Sequence, residues 1–204
     1  NRERMGADAL VLPAHKALLG PQGIGAVLMN PVFAKSLKPL VSGGTGSRSN
    51  LETQPLDLPD KFEAGTQNIP GIYGFLAALD YLAPRMEAFQ TQSMRLCGLL
   101  LEGAARLPKA RILGKTGTEG RVPVVSLDFQ DMDNAMVADR LARDFHIATR
   151  CGLHCAPAAH HTLGTFPQGT VRFSIGAFNT QADIFETLSA LRTIVTERHT
   201  FAQA

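Results

Sequence analysis

The pattern of apolar and polar residues divides the chain into a loop-rich first part and a second part with alternating helices and strands. Short apolar runs at residues 8–12 and 24–29 predict two strands. Because both faces of these strands are apolar, we expect them to lie in a sheet covered on both sides. Residues 41–72 lack periodicity and are rich in Gly, Ser, Thr, Asn and Pro, which predicts a long loop with a functional role.

The second part has clearer periodicity. Residues 72–107 have helical spacing, and Pro84 should break or kink this helix. Four further segments are predicted: strands at 122–129 and 170–175, and helices at 135–145 and 181–195. Asn179 or Thr180 is expected to cap the last helix. This alternation is typical of an α/β or α+β domain.

Composition narrows the classes of function. The 204 residues suit one ordinary domain or two small ones, and a net charge of +2 predicts no strong attraction to nucleic acid or membranes. The apolar runs are too short to span a bilayer. Three cysteines form no disulfide framework, so we expect a reducing, cytoplasmic location. The chain starts at Asn1 without an initiator methionine, which suggests a fragment.

Residues 150–161 concentrate the reactive side chains. Cys155 follows His154 and lies near Arg150, and nearby positive charge favours a reactive thiolate. A metal site is the alternative, with ligands drawn from Cys151, His154, Cys155 and His160 or His161. Zinc ligands usually come in pairs from two separate places, so we expect no metal here. Three residues separate Cys151 from Cys155, so they make no Cys-X-X-Cys redox pair, and Cys151 is expected to be incidental.

Three other features could bind or react. Lys16 follows the first predicted strand, and its spacing alone favours a surface lysine; desolvation at the strand end is the alternative and would make its amine a nucleophile suited to a Schiff base. Residues 43–47 offer successive backbone N–H groups that could hold a phosphate, although the lysine of a P-loop is missing. Arg172 lies within an apolar strand, where it either binds an anion such as a carboxylate or points outward.

Taken together, these segments resemble the class V, aspartate aminotransferase-like enzymes that use pyridoxal phosphate, and among them the cysteine desulfurases. Five stretches carry the resemblance in the family's order: residues 15–16 with 20–25, residues 43–47, residues 63–71, residues 150–157, and residues 171–174 with 178–180. The resemblance implies an α/β fold of type I. Residues 1–72 would be the C-terminal part of the large cofactor-binding domain, with loops at the dimer interface. Residues 73–204 would be a linking helix and the small α+β domain.

The resemblance also implies how the cofactor would be bound. Lys16 would hold pyridoxal 5'-phosphate through its amine and move protons during the reaction, and His15 would lie near the cofactor phosphate. Thr66 would reach a phosphate across the interface of a homodimer with shared active sites. Pro13-Ala14 departs from the family, which often has a small hydroxyl residue before the His-Lys pair.

On the substrate side, the resemblance implies that Arg172 binds the carboxylate of L-cysteine, with Arg150 and His154 beside it. Cys155 would attack the substrate sulfur, which leaves a persulfide and releases L-alanine. A sulfur-acceptor protein is a further expected partner.

Other readings stay open at this level. Another class V lyase or aminotransferase, such as a selenocysteine lyase, fits the same segments. Family members are roughly twice as long, on the scale of a two-domain enzyme, so a catalytically incomplete C-terminal part is a second alternative. A metal- or thiol-binding module without cofactor chemistry is the least favoured.

Overall fold

The computed structural model describes residues 2–197. It divides into two compact units, the first ending at Arg85 and the second beginning at Met86. Across the described residues, no helix combines the length and apolar character needed to cross a membrane.

The first unit contains two strands and two helices: β1 (Ala9–Pro13), β2 (Gly25–Met29), α1 (Pro31–Ser36) and α2 (Ile69–Leu82). β1 and β2 form a two-stranded antiparallel ribbon in which Ala9 pairs with Met29. Both strands were predicted, but the sheet covered on both sides was not found. Val11 is 71% exposed and Val27 is 49% exposed, because a two-stranded ribbon has no second layer within the described chain.

The long loop predicted in the first unit is confirmed, since residues 37–68 contain no helix or strand. Hydrogen bonds nevertheless hold it in a defined shape. The Gln54 side chain accepts from the N–H of Gly43 and donates to the carbonyl of Asp60. The buried ammonium of Lys61 donates to the carbonyl oxygens of Ala34 and Lys35, at the C-terminal end of α1. A cation is favourable there because the last carbonyls of a helix lack partners.

The second unit contains four strands and four helices: α3 (Met86–Ala104), β3 (Ala110–Ile112), β4 (Val124–Phe129), α4 (Asn134–Phe145), β5 (Arg150–Gly152), α5 (Pro157–Leu163), β6 (Thr170–Ser174) and α6 (Gln181–Thr196). The strands form an antiparallel sheet in the order β3-β4-β6-β5. Helices and strands therefore alternate as predicted, and the break at Pro84 is confirmed because it lies between α2 and α3.

The core of the second unit lies on one face of this sheet. Alternate residues of β4 and β6 point into it and pack with the apolar sides of α3, α4 and α6; the fully buried members are Leu96, Leu100, Val125, Leu127, Phe129, Val137, Leu141, Val171, Leu191 and Ile194. Side chains alternate across a strand, so the intervening residues lie on the opposite face. Ser126, Arg172 and Arg150 are direct cross-strand neighbours and form a row on that face.

The last helix shows how local sequence fixes an element boundary. Of the two predicted capping residues, Thr180 is the N-cap of α6, and its side chain accepts from the N–H of Asp183. The Asp183 carboxylate in turn accepts from the N–H of Thr180, which completes a capping box. Asn179 instead accepts from the N–H of Gly176.

Candidate functional site

The thiol of Cys155 is presented by a tight turn between β5 and α5. His154 has a φ of 54° and Cys155 a φ of 59°, so two consecutive residues other than glycine adopt the left-handed conformation. Each costs on the order of 1 kcal/mol or more relative to an ordinary conformation. The N–H of Ala156 donates to the carbonyl of Leu153 at 2.9 Å and closes the turn. Cys155 is exposed as a result.

Two side chains from the same segment surround this thiol. The Nη2 atom of Arg150 lies 3.3 Å from the Cys155 Sγ, where a guanidinium stabilises negative charge on sulfur. The Nε2 atom of His154 lies 2.9 Å from the carbonyl oxygen of Arg150. Because a carbonyl oxygen only accepts, Nε2 carries the proton and Nδ1 is the acceptor of this ring.

Burial lowers the pKa of His154 below its ordinary value of 6.5, and the positive charges of Arg172, His160 and Arg150 lower it further. The hydrogen bond to the Arg150 carbonyl opposes this trend but does not reverse it. His154 is therefore neutral at pH 7. A neutral imidazole with an available acceptor nitrogen can take up a proton from a nearby group.

Arg172 joins this cluster from the neighbouring strand. It lies directly opposite Arg150 in the β5–β6 pair, where like charges are destabilising unless something screens them. Its Nε atom is buried and has no hydrogen-bond partner within residues 2–197. Arg150 and Arg172 could together bind an anion, because the Nε donor of Arg172 has no partner in the described residues. The planar geometry of a guanidinium matches a carboxylate best.

The other two cysteines differ from Cys155. Cys151 pairs with Val171 of the core, so its side chain lies on the helix-covered face of the sheet. Burial raises the pKa of the Cys151 thiol, and the charge of Asp133 raises it further. Burial likewise raises the pKa of Cys97 within α3, with Arg121 opposing. Neither thiol is therefore poised as a nucleophile at neutral pH. Among the described residues, no group of three His, Cys, Asp or Glu side chains could hold a metal ion.

His15 and Lys16 lie in the turn that joins β1 to β2 in the first unit. Backbone bonds of the buried Ala14 close this turn, from its N–H to Ile24 and from Gly20 to its carbonyl. A Cβ at Gly20 would lie 2.9 Å from the Cβ of Ala14, so this close approach requires glycine. Of the two readings of Lys16, the surface lysine is found and the desolvated lysine is not. Lys16 is exposed, because the turn carries it beyond the strand.

Thr66 is exposed in the segment that leads into α2. This segment is tied to the glycine-rich residues 43–47, since the N–H of Gly65 donates to the carbonyl of Gly44 at 2.8 Å. Two loops that are separate in the sequence are therefore neighbours in the first unit. The second unit brings together the four predicted residues of the substrate side: Arg150, His154, Cys155 and Arg172.

His160 has a role that the sequence did not reveal. The sequence indicates it only as a candidate metal ligand, but it is buried, and its Nδ1 lies 2.7 Å from the Thr165 Oγ1. Its ring centroid is 5.7 Å from that of His154. A histidine five residues after a candidate nucleophile is a weak signal in a sequence, because the burial of its side chain depends on the fold.

Comparison with known proteins places this arrangement in a family. The model of the family "Aminotransferase class-V" matches residues 1–186, and the chain belongs to this family. A probable cysteine desulfurase from Methanothermobacter thermautotrophicus is 33% identical over 184 residues, which cover 88% of this chain and 46% of the relative. The chain thus spans about half the length of the curated relatives it matches.

Solved structures similar to this chain include two cysteine desulfurases. The apo cysteine desulfurase from Thermococcus onnurineus NA1 has a TM-score of 0.86 at 29% identity, over 96% of this chain and 48% of that one. The cysteine desulfurase CsdA from Escherichia coli has a TM-score of 0.83 at 27% identity, over 94% and 47%. The resemblance stated from the sequence and the type I α/β fold class are both confirmed.

Proposed function

We propose that this chain provides part of a pyridoxal-phosphate-dependent cysteine desulfurase, which removes sulfur from L-cysteine and leaves L-alanine and a persulfide on Cys155. One observation carries the proposal: a guanidinium lies beside an exposed thiol on a strained turn. The names of the similar proteins support the same activity. In the same proposal, residues 1–72 belong to the large cofactor-binding domain and residues 73–204 to the small domain.

Arg172 and Arg150 would bind the substrate carboxylate. The unpartnered Nε of Arg172 provides a buried donor for a carboxylate oxygen. A bound carboxylate would also offset the repulsion between the two cross-strand guanidinium groups. An α-amino acid therefore suits this face of the sheet better than a neutral or cationic molecule does.

Cys155 would then carry out the sulfur transfer. Its Sγ forms a bond with the substrate sulfur as the bond between that sulfur and the substrate Cβ breaks, and a proton on the Cβ completes alanine. The thiol must first lose its proton, which His154 or the bound substrate can accept. Arg150, at 3.3 Å, stabilises the negative charge on Sγ before the attack.

Membership of the family implies pyridoxal phosphate as the cofactor, and residues of the first unit fit it. The exposed amine of Lys16 is accessible to an aldehyde, and His15 precedes it in the same rigid turn. Thr66 offers an exposed hydroxyl that would reach a phosphate in the partner of a homodimer. When bound, the cofactor supplies an electron sink for charge that develops on the substrate.

Borohydride reduction tests the cofactor assignment. After incubation of the protein with pyridoxal phosphate, reduction followed by mass mapping should place the label on Lys16. Lys16→Ala should abolish the label, while Lys38→Ala, which removes another exposed lysine of the same unit, should not. Equal labelling of several lysines, unchanged in Lys16→Ala, would contradict this role of Lys16.

A second experiment tests the reaction. With L-cysteine as the substrate, Cys155→Ala should abolish the protein persulfide and leave the label on Lys16 intact. Cys151→Ala is the matched control and should retain the persulfide. Release of alanine identifies a desulfurase, whereas release of a keto acid would identify an aminotransferase and overturn the proposal.

A further inference from the structure

The turn that carries Cys155 is followed by a helix that begins without a side-chain cap from residues 2–197. α5 has seven residues, and in the described part of the chain its N-cap, Ala156, makes no side-chain capping bond. Immediately before it come the two left-handed residues, His154 and Cys155. Such a conformation persists only where surrounding contacts hold it in place.

His160 and Thr165 provide such contacts. His160 is 6% exposed and Thr165 is 5% exposed, so both lie inside the fold. Their side chains are joined by a hydrogen bond of 2.7 Å between His160 Nδ1 and Thr165 Oγ1. The N–H of Thr165 also donates to the carbonyl of His160 at 2.9 Å. A buried polar pair with two mutual bonds is satisfied and rigid, which fixes the position of the His160 ring.

The fixed ring lies against the reactive cluster. The centroids of His160 and His154 are 5.7 Å apart at an interplanar angle of 36°, within the range of aromatic contacts. His154 in turn is bonded to the carbonyl of Arg150, whose guanidinium lies beside Cys155. Contacts therefore run without a gap from the buried Thr165 to the exposed thiol.

We propose that His160 is a positioning residue for the sulfur-transfer reaction: held by Thr165, it fixes the ring of His154 and with it the turn that presents Cys155. For the reaction, this inference rests on the proposed function. The positioning of His154 does not, because it can be measured in the absence of substrate and cofactor.

The electrostatics of the cluster give this proposal a direct readout. Three groups that can carry positive charge face His154: Arg150 of β5, Arg172 of β6 and His160 of α5. Burial and these charges keep the pKa of His154 below 6.5. Loss or loosening of the His160 ring would admit water to His154 and weaken one of the three repulsions. The pKa of His154 should then rise toward its ordinary value.

Four variants of the full chain test the proposal by NMR titration of the His154 ring. Thr165→Val removes the hydroxyl with little change of shape, and His160→Asn removes the ring. Both should raise the titration midpoint of His154 toward its ordinary value of 6.5. Thr165→Ser restores the hydroxyl and should return the midpoint to that of the wild type. His161→Asn changes an exposed neighbour and should leave it unmoved.

The rate of persulfide formation should be lowered in the same two variants that raise the His154 midpoint. Thr165→Val and His160→Asn should slow persulfide formation roughly tenfold, because a loosened reacting group loses its orientation. KM for L-cysteine should change little, since Arg172 is untouched. A structural role alone would lower only stability: variants that unfold more readily but keep the His154 midpoint and kcat would overturn the proposal. A wild-type protein that forms no persulfide would sink the proposed function, and the His154 midpoint would still decide the positioning.

Discussion

Asn134 offers the most direct test of the fold around the candidate site. Its side chain is fully buried at the start of α4 and makes three hydrogen bonds. Oδ1 accepts from the N–H of Phe129 at 3.0 Å, and Nδ2 donates to the carbonyl of Gly169 at 3.0 Å and to Asp128 Oδ1 at 2.9 Å. Asn134 thus joins the end of β4, the start of α4 and the residue before β6, the strand that carries Arg172.

The cost of Asn134→Ala follows from the groups it leaves unpaired. Asp128 keeps its salt bridge with Arg111 at 2.9 Å, so losing the hydrogen bond from Asn134 costs this carboxylate little. The N–H of Phe129 and the carbonyl of Gly169 are buried, and each costs about 1–3 kcal/mol without a partner. With the small cavity, we expect the free energy of unfolding to fall by about 3–5 kcal/mol.

Urea unfolding followed by circular dichroism measures this loss, with the m-value as the check that the unfolded state is unchanged. Amide hydrogen exchange at Phe129 gives the local readout, because this N–H loses its acceptor directly. Asn134→Asp should be at least as damaging at neutral pH, since a carboxylate cannot donate to Gly169 and repels Asp128.

Gln130→Ala is the matched control, because this residue is exposed in the same loop. It should change the free energy of unfolding by less than about 0.5 kcal/mol. If Asn134→Ala lost less than about 1 kcal/mol and kept the protection of the Phe129 amide, the hydrogen bonds of Asn134 would not hold this end of the sheet.

Three further predictions concern a helix cap, a thiol and the carboxylate site. Thr180→Ala should cost about 1 kcal/mol in urea unfolding. Hydrogen bonding, first from the N–H of Thr180, holds the pKa of the Asp183 carboxyl below 3.8. The stability that this carboxylate adds is therefore present above pH 3.8 and is lost as the pH falls through its pKa in the folded state. A free energy of unfolding that stays constant over this acid range would contradict the capping role of Asp183. Iodoacetamide at pH 7 should modify Cys155 well before Cys97, as peptide mapping can check, because burial raises the pKa of Cys97. Arg172→Leu should change the free energy of unfolding by less than about 1 kcal/mol. It should raise KM for L-cysteine at least tenfold, which is roughly the contribution of one charged hydrogen bond. A large loss of stability with an unchanged KM would assign Arg172 a structural role instead.

The longer elements of the second unit were predictable because their periodicity extends over several residues. β4 alternates buried and half-buried positions over six residues, and α6 keeps one apolar side over sixteen. The missed elements are short: α1, β3, β5 and α5 have between three and seven residues. Too few side chains repeat in such segments for a period to be recognised.

The site was predictable to the extent that it is local in sequence. Arg150, His154 and Cys155 lie within six residues, so their proximity could be read from the chain. The row formed by Arg150 and Arg172 depends on the pairing of β5 with β6, and no local pattern specifies that register. The sequence left two readings of Lys16 open for a similar reason, because burial at a strand end depends on how many strands the sheet contains.

The two faces of the sheet in the second unit follow opposite physical rules. The core face is apolar and close-packed, as stability alone would require. The other face sets Arg172 opposite Arg150 and leaves a buried donor unpaired, and two left-handed residues follow at His154 and Cys155. Each of these features costs stability. Because these three unfavourable features lie beside one exposed thiol, we infer that this face is kept for binding and chemistry, since a surface kept only for folding would have relieved them.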